Sequence, residues 1–284
     1  MNYKVLYNPL AGTVNDNTFH SELEKALEGD NLEYFDITQI DYNQFFSQLE
    51  GGESVIIAGG DGTINRFIND TEGLQITVPV YYYAAGSGND FWNDIGKAKG
   101  DKPVYLAPYL KDLPTVTVKG KDYKFINGVG FGIDGYCCQV GDEMKAAGKT
   151  KINYTSVAIN GLLFHFKPAD AEVTVDGVTK KYEKVWIAPT MNGRMYGGGM
   201  MPTPAQDRLN EKRTISICVF HGSGRLKTLM IFPKIFKGEH IKSEKYVEVL
   251  SGKSITVKFT APCALQIDGE TILDVTEYTA KSAK

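Results

Sequence analysis

Residues 54–58, Ser-Val-Ile-Ile-Ala, run without interruption into Gly59-Gly60-Asp61-Gly62-Thr63. A short unbroken apolar run bounded by turn residues reads as a strand buried on both faces, the kind found in parallel sheets covered by helices. Glycines at its carboxyl end lack Cβ atoms, so backbone N–H groups there can approach phosphate oxygens. The helix expected from Thr63 to Asn69 adds a partial positive charge at its start. Asp61 is out of place beside phosphate unless it reaches a metal ion or a ribose hydroxyl, which points to Mg²⁺. The alternative is that Asp61 only caps the helix.

The same alternation runs to about residue 113. Strands are expected at Tyr3 to Tyr7, Leu32 to Ile37 and Val78 to Tyr83, with helices at Asn17 to Leu27 and Tyr42 to Leu49. A βαβα order implies a mostly parallel sheet with helices on both faces and ligands beyond the carboxyl ends of its strands. A second loop of the same kind follows an apolar strand: Gly86-Ser87-Gly88-Asn89-Asp90-Phe91. The segment after the first strand, Asn8-Pro9-Leu10-Ala11-Gly12-Thr13, is a possible third wall, though alone it is merely a turn.

From Pro114 the pattern changes to short strands separated by turn residues such as Asp176-Gly177. They are expected at Thr115 to Val118, Lys124 to Gly128, Ala171 to Val175, Lys184 to Ala188, Thr214 to Phe220 and Ser254 to Phe259. This reads as an antiparallel β-sandwich interrupted by two helices, Lys151 to Phe166 and Arg225 to Phe236. The expectation is therefore an α/β domain over 1–113 and a β-sandwich domain over 114–284. It is left open whether the extreme C-terminal segment packs back on the first.

A chain of 284 residues with 42% hydrophobic and 23% charged residues is neither disordered nor fibrous. Its net charge of -3 gives no global attraction to nucleic acid, so any anion site has to be local. Cys137, Cys138, Cys218 and Cys263 have no metal-binding spacing, which suits a reducing cytosol. The start, MNYKVLYNPL, alternates like a strand instead of resembling a signal peptide, and no window is apolar enough to span a membrane.

Together Asn8-Pro9 with Gly12, GGDGT at 59–63 and GSGNDF at 86–91 resemble the diacylglycerol kinase catalytic family, which includes sphingosine and ceramide kinases and bacterial lipid kinases. Further matches are Phe125-Ile126-Asn127 with Gly130 to Asp134, Lys151-x-x-Tyr154, Asn192-Gly193-Arg194 with Tyr196 to Gly199, Gly238-x-His240, and Asp268-Gly269-Glu270. The resemblance covers nearly the whole chain. It implies a two-domain enzyme with ATP in the interdomain cleft and Mg²⁺ held by aspartates and waters, moving a γ-phosphoryl group to a lipid hydroxyl. Asn8, Gly12, Gly59, Gly60, Asp61, Gly62, Thr63, Gly86, Ser87, Gly88, Asn89 and Asp90 would bind the nucleotide. Asp61, Asp90 and Glu270 would serve the metal, with Asp268 as general base. Phosphoryl transfer needs a residue to take the hydroxyl proton, and an Asp in a turn can do so. On local sequence alone, Asp268-Gly269 reads first as a hairpin turn.

Several positions depart from the family pattern. Ala11 precedes Gly12 and Thr13-Val14-Asn15 follow it, where Ser and a basic residue are usual. Arg66 replaces a Glu and Asn93 an Arg. The acidic stretch linked in the family to a structural Mg²⁺ is replaced within Leu209 to Arg213, so loss of that site is expected.

For the lipid, the apolar residues of 151–166 are candidates for an acyl pocket or ordinary core. Residues 225–237, with Lys227, Lys234 and Lys237 among large apolar side chains and Pro233 as an interruption, read first as an ordinary amphipathic surface helix and second as a helix lying on an anionic interface. The expected partner is a lipid at a membrane surface and the expected location the cytoplasm, with transient membrane association. Oligomeric state and the lipid's identity are not legible. A NAD-kinase-like enzyme and a non-catalytic nucleotide- or lipid-binding protein are the alternatives.

Overall fold

The computed structural model describes residues 1–9, 18–86, 88–149 and 152–283. Gly12, Ser87 and Lys151, together with Ala11, Thr13, Val14 and Asn15, lie outside these. The described chain forms two units, Met1–Lys111 and Asp112–Lys284. No helix among the described residues is long and apolar enough to cross a membrane.

The first unit is built on five strands: β1 (Asn2–Tyr7), β2 (Asn31–Asp36), β3 (Glu53–Gly59), β4 (Val80–Ala84) and β5 (Val104–Tyr105). Their order is β2-β1-β3-β4-β5. The first four are parallel and β5 runs antiparallel to β4. Val55, Ile56, Ile57 and Ala58 of β3 are completely buried, as the unbroken apolar run requires of a central strand. Between the strands lie α1 (Thr18–Ala26), α2 (Tyr42–Ser47), α3 (Asp61–Asp70) and α4 (Asp90–Asp94), and α5 (Ala107–Leu110) follows β5. The chain goes from β1 to β2 in one direction across the sheet and from β3 to β4 in the other. This reversal opens a crevice at the carboxyl ends of β1 and β3. Asn8 follows β1 there, and Gly60 follows β3.

The second unit carries β6 (Thr115–Val118), β7 (Lys121–Lys124), β8 (Gly128–Phe131), β9 (Ala169–Val175), β10 (Val178–Val185), β11 (Thr190–Met191), β12 (Ile215–Phe220), β13 (Val247–Gly252), β14 (Ser254–Ile267) and β15 (Glu270–Lys281). Antiparallel hydrogen bonds join them into one ten-stranded sheet. The sheet branches at β14: residues 255–259 pair with β9, residues 265–267 pair with β8, and β15 runs along both stretches. Side chains from both branches, including Phe131, Val173, Val219, Val257 and Tyr278, share one apolar core. The C-terminal strand β15 pairs with β14 and β6.

The expected strand at 124–128 does not form. Residues 125–127 link β7 to β8, and the N–H groups of Ile126, Asn127 and Gly128 go to the Asp268 carboxylate instead of to a neighbouring strand. A helix that the pattern does not announce, α6 (Ile133–Ala146), lies on β14 so closely that a Cβ on Gly135 would sit 1.9 Å from the Ala264 carbonyl oxygen. The expected helix at 151–166 is α7 (Tyr154–Asn160) followed by a π turn over Gly161–His165. The one at 225–236 is α8 (Arg225–Ile231), then a 3-10 stretch over Phe232–Lys237, since Pro233 has no N–H to continue an α-helix.

Candidate active site

In the first unit the two glycine loops touch. A Cβ on Gly86 would fall 2.4 Å from the Gly60 Cα, and one on Gly59 would fall 2.4 Å from the Thr63 hydroxyl oxygen. Glycine at 86 is thus required for loop-to-loop packing, and glycine at 59 for the turn into α3, independently of any ligand. The Ala85 N–H and the Tyr82 hydroxyl both donate to the Gly59 carbonyl at 2.9 Å. Gly60 is the N-cap of α3, and the N–H groups of Thr63 and Ile64 both bond its carbonyl.

Asp61 joins the loops. Its Oδ2 accepts the Asp90 N–H at 2.7 Å and its Oδ1 accepts the Phe91 N–H at 2.9 Å. It therefore caps α4, the helix of the other loop, instead of its own. Asn89, in the left-handed region at φ 48°, closes the second loop: its Oδ1 accepts the Gly86 N–H and its amide donates to the Gly86 carbonyl at 2.7 Å. Asn8 donates to the Thr63 hydroxyl at 3.1 Å, so the segment after β1 is tied to the same cluster. Asn8, Gly59, Gly60, Asp61, Thr63, Gly86, Asn89 and Asp90 come together this way.

The donor set fits a hard cation. The position of a Cβ on Gly88 lies 3.6 Å from Asp61 Oδ2 and 3.9 Å from Asp90 Oδ2. Two carboxylates thus flank one small space beside the start of α3. Mg²⁺ is commonly held by one or two carboxylates completed by waters and substrate phosphates. No group of three or more His, Cys, Asp or Glu side chains among the described residues is arranged to hold a metal alone. Both charges reach the fully buried Tyr82, whose hydroxyl pKa is raised by burial first and then by Asp61 and Asp90. Arg66 is exposed on α3, and the Asn93 amide reaches the Gly88 carbonyl at 3.5 Å.

In the second unit Asp268 and Gly269 form a two-residue hairpin turn between the paired Ile267 and Glu270, both at positive φ. The Asp268 side chain is buried. It accepts N–H groups from Ile126 at 2.6 Å, Asn127 at 2.9 Å and Gly128 at 2.8 Å. The turn reading and the functional reading of this residue are therefore compatible. Around it the Ile126 carbonyl accepts from the Asn192 amide and from Arg208 Nη1, both at 3.0 Å, and Arg208 Nη2 donates to Asn127 Oδ1 at 3.2 Å. The segments 125–128, 191–193, 206–208 and 266–270 thus form one hydrogen-bonded cluster. Glu270 is exposed at the start of β15.

Arg208 escaped the sequence reading, since one Arg in a polar loop looks like any surface cation. Asp134 did too. It is buried at the start of α6, accepts from the Tyr196 hydroxyl at 2.9 Å and the Gly135 N–H at 3.0 Å, and has its pKa pushed up to about 6 by burial, against those hydrogen bonds. A Cβ on Gly130 would fall 2.2 Å from its Oδ2, so the Gly130 to Asp134 spacing lets this carboxyl fold back on its own strand.

Residues 2–112 match the diacylglycerol kinase catalytic domain, and residues 127–280 match the YegS C-terminal NAD kinase beta sandwich-like domain. The chain belongs to the diacylglycerol kinase catalytic family. It is similar to the diacylglycerol kinase of Mycobacterium tuberculosis, at 25% identity over 75% of this chain and 68% of that one. It is also similar to YtlR of Bacillus subtilis, proposed to be a lipid kinase, at 24% identity over 81% and 77%. The fold matches a solved diacylglycerol kinase from Bacillus anthracis at a TM-score of 0.58, with 18% identity over 100% and 94% of the two chains. This family comprises lipid kinases, and the coarse assignment of the chain as a kinase rests on it.

Proposed function

We propose that this protein transfers the γ-phosphoryl group of ATP to the hydroxyl of a diacylglycerol-like or sphingoid lipid. The observation that carries the reading is the Asp61 clamp. It fixes two glycine loops at the carboxyl ends of adjacent strands and leaves the Asp61 and Asp90 carboxylates flanking one small space. The α3 N-terminus, Thr63 and Asn8 bind and orient the phosphates. Asp61 and Asp90 hold Mg²⁺, which when bound supplies neutralisation of charge on the phosphate oxygens. In the second unit Asp268, its orientation fixed by three N–H donors, accepts the proton of the attacking hydroxyl. Positioning by this hydrogen-bonded frame lets a weakly acidic alcohol attack.

The test is incubation with γ-labelled ATP and diacylglycerol, monoacylglycerol, ceramide, a sphingoid base or NAD, with and without Mg²⁺. Label entering a lipid only with Mg²⁺ is the expected result. Label entering NAD alone, or nothing at all, overturns the proposal.

A further inference from the structure

In the second unit α7, its π turn and the helical stretch 225–237 pack side by side. Arg225 donates to the Phe166 carbonyl at 2.9 Å and, from Nη1, to the Leu162 carbonyl at 2.5 Å, and stacks 5.7 Å from the Trp186 ring. Val157, Leu162, Phe166, Ile231, Phe232 and Ile235 share one core beneath them. The outer side of the same segments is also apolar: Phe164 is 68% exposed, Leu226 78% and Met230 67%, with Ile159 and Phe236 exposed beside them. Protruding apolar side chains on neighbouring helices are unusual for a surface that meets only water.

The charge around them is one-sided. Residues 225–237 contain Arg225, Lys227, Lys234 and Lys237 and no acid, and residues 154–167 contain Lys167 and no acid, in a chain whose net charge is -3. Arg225 is engaged internally, which leaves the three lysines of 225–237, all exposed, to face outward. Large apolar tips within a cationic rim, on short helices lying along the surface, match the two components of a bilayer with anionic headgroups.

We infer that this face, with Phe164, Leu226 and Met230 at its tips and Lys227, Lys234 and Lys237 around them, docks the protein on anionic phospholipid bilayers. The inference deepens the lipid-kinase reading and rests on it for its biological sense, but the face is defined without it. The test is co-sedimentation of the full chain with vesicles of phosphatidylcholine alone or mixed with phosphatidylglycerol, at low and high salt. The expected result is binding to the mixed vesicles only, weakened by salt. Replacing Phe164, Leu226 and Met230 together by Ser, or the three lysines together by Gln, should each lower it roughly tenfold or more. The single variants Phe164→Ser and Leu226→Ser guard against loss of folding, and Val178→Ser, exposed at the start of β10, should bind as the wild type does. Wild type that ignores anionic vesicles yet phosphorylates a short-chain dispersed acceptor overturns the face and spares the kinase. Vesicle binding without turnover on any lipid supports the face and overturns the kinase. Loss of a dimer in the Ser variants, with vesicle binding unchanged, would mean the face meets a second copy and overturns the inference.

Discussion

The Asp61 carboxylate accepts the backbone N–H of Asp90 at 2.7 Å, so the acidic residue of one glycine loop is the cap of the helix that leaves the other. Together with the bond from Phe91 this spans 30 residues of chain with one side chain. Asp61→Ala leaves two helix-start donors without that partner. It should lower stability by about 1–3 kcal/mol and also weaken Mg²⁺-dependent ATP binding. Calorimetric titration beside thermal melts checks both. Unchanged stability would contradict the clamp, and unchanged nucleotide binding would remove Asp61 from the metal site.

Two glycines of the second loop should answer differently to alanine. At Gly86 the new methyl meets the Gly60 backbone at 2.4 Å, so the loops have to separate, at a cost of about 1–3 kcal/mol. At Gly88 the nearest atom is 3.6 Å away, so folding should be unaffected. That methyl nonetheless enters the space between Asp61 and Asp90, so Gly88→Ala should weaken ATP binding in the presence of Mg²⁺. Melting curves and titrations on the pair separate packing from ligand binding. A Gly88→Ala protein that binds Mg²⁺ and ATP normally would place the cation elsewhere.

Asp268→Asn turns one acceptor oxygen into a donor facing an N–H group. With Oδ2 receiving Ile126 and Oδ1 receiving Asn127 and Gly128, either rotamer of the amide creates a clash of donors. Stability should fall by about 1–3 kcal/mol, and turnover by roughly 10²- to 10⁴-fold if this carboxylate takes the proton. ATP affinity should change little. Measured at a temperature where the variant remains folded, full turnover would discard Asp268 as the base.

Asp134 makes stability depend on pH in a defined direction. Its folded pKa of about 6 stands above the ordinary aspartate value of 3.8, so the folded state holds this proton more tightly. Its contribution is fully present below about pH 3.8 and is lost as pH rises through about 6, on the order of 3 kcal/mol in all. His221 and His240, whose pKa values are lowered chiefly by burial, act oppositely, so stability rises with pH as their unfolded forms lose protons. The difference between wild type and Asp134→Asn in denaturant melts from pH 4 to 7 isolates the carboxyl. The variant should gain relative stability as pH rises, and a flat difference would refute the buried, raised carboxyl.

The sequence by itself determined the parallel sheet, because an unbroken run such as 54–58 can be satisfied only with both faces covered, and it placed the glycine loops at strand ends. It also located the segments 125–127, 192–194 and 268–270. What it left undecided were the contacts that join them, because hydrogen bonds spanning 29 or 141 residues leave no periodic trace. Residues 124–128 have strand composition, yet a distant carboxylate takes the N–H groups of Ile126, Asn127 and Gly128, and tertiary context overrides propensity. Helix α6 contains Gly135 and Gly141, poor helix formers, and exists because Gly135 lets it lie against the Ala264 backbone. Only the packed chain decides whether Asp61 caps its own helix or its neighbour's, since a carboxylate bonds whichever N–H groups the fold brings within 3 Å.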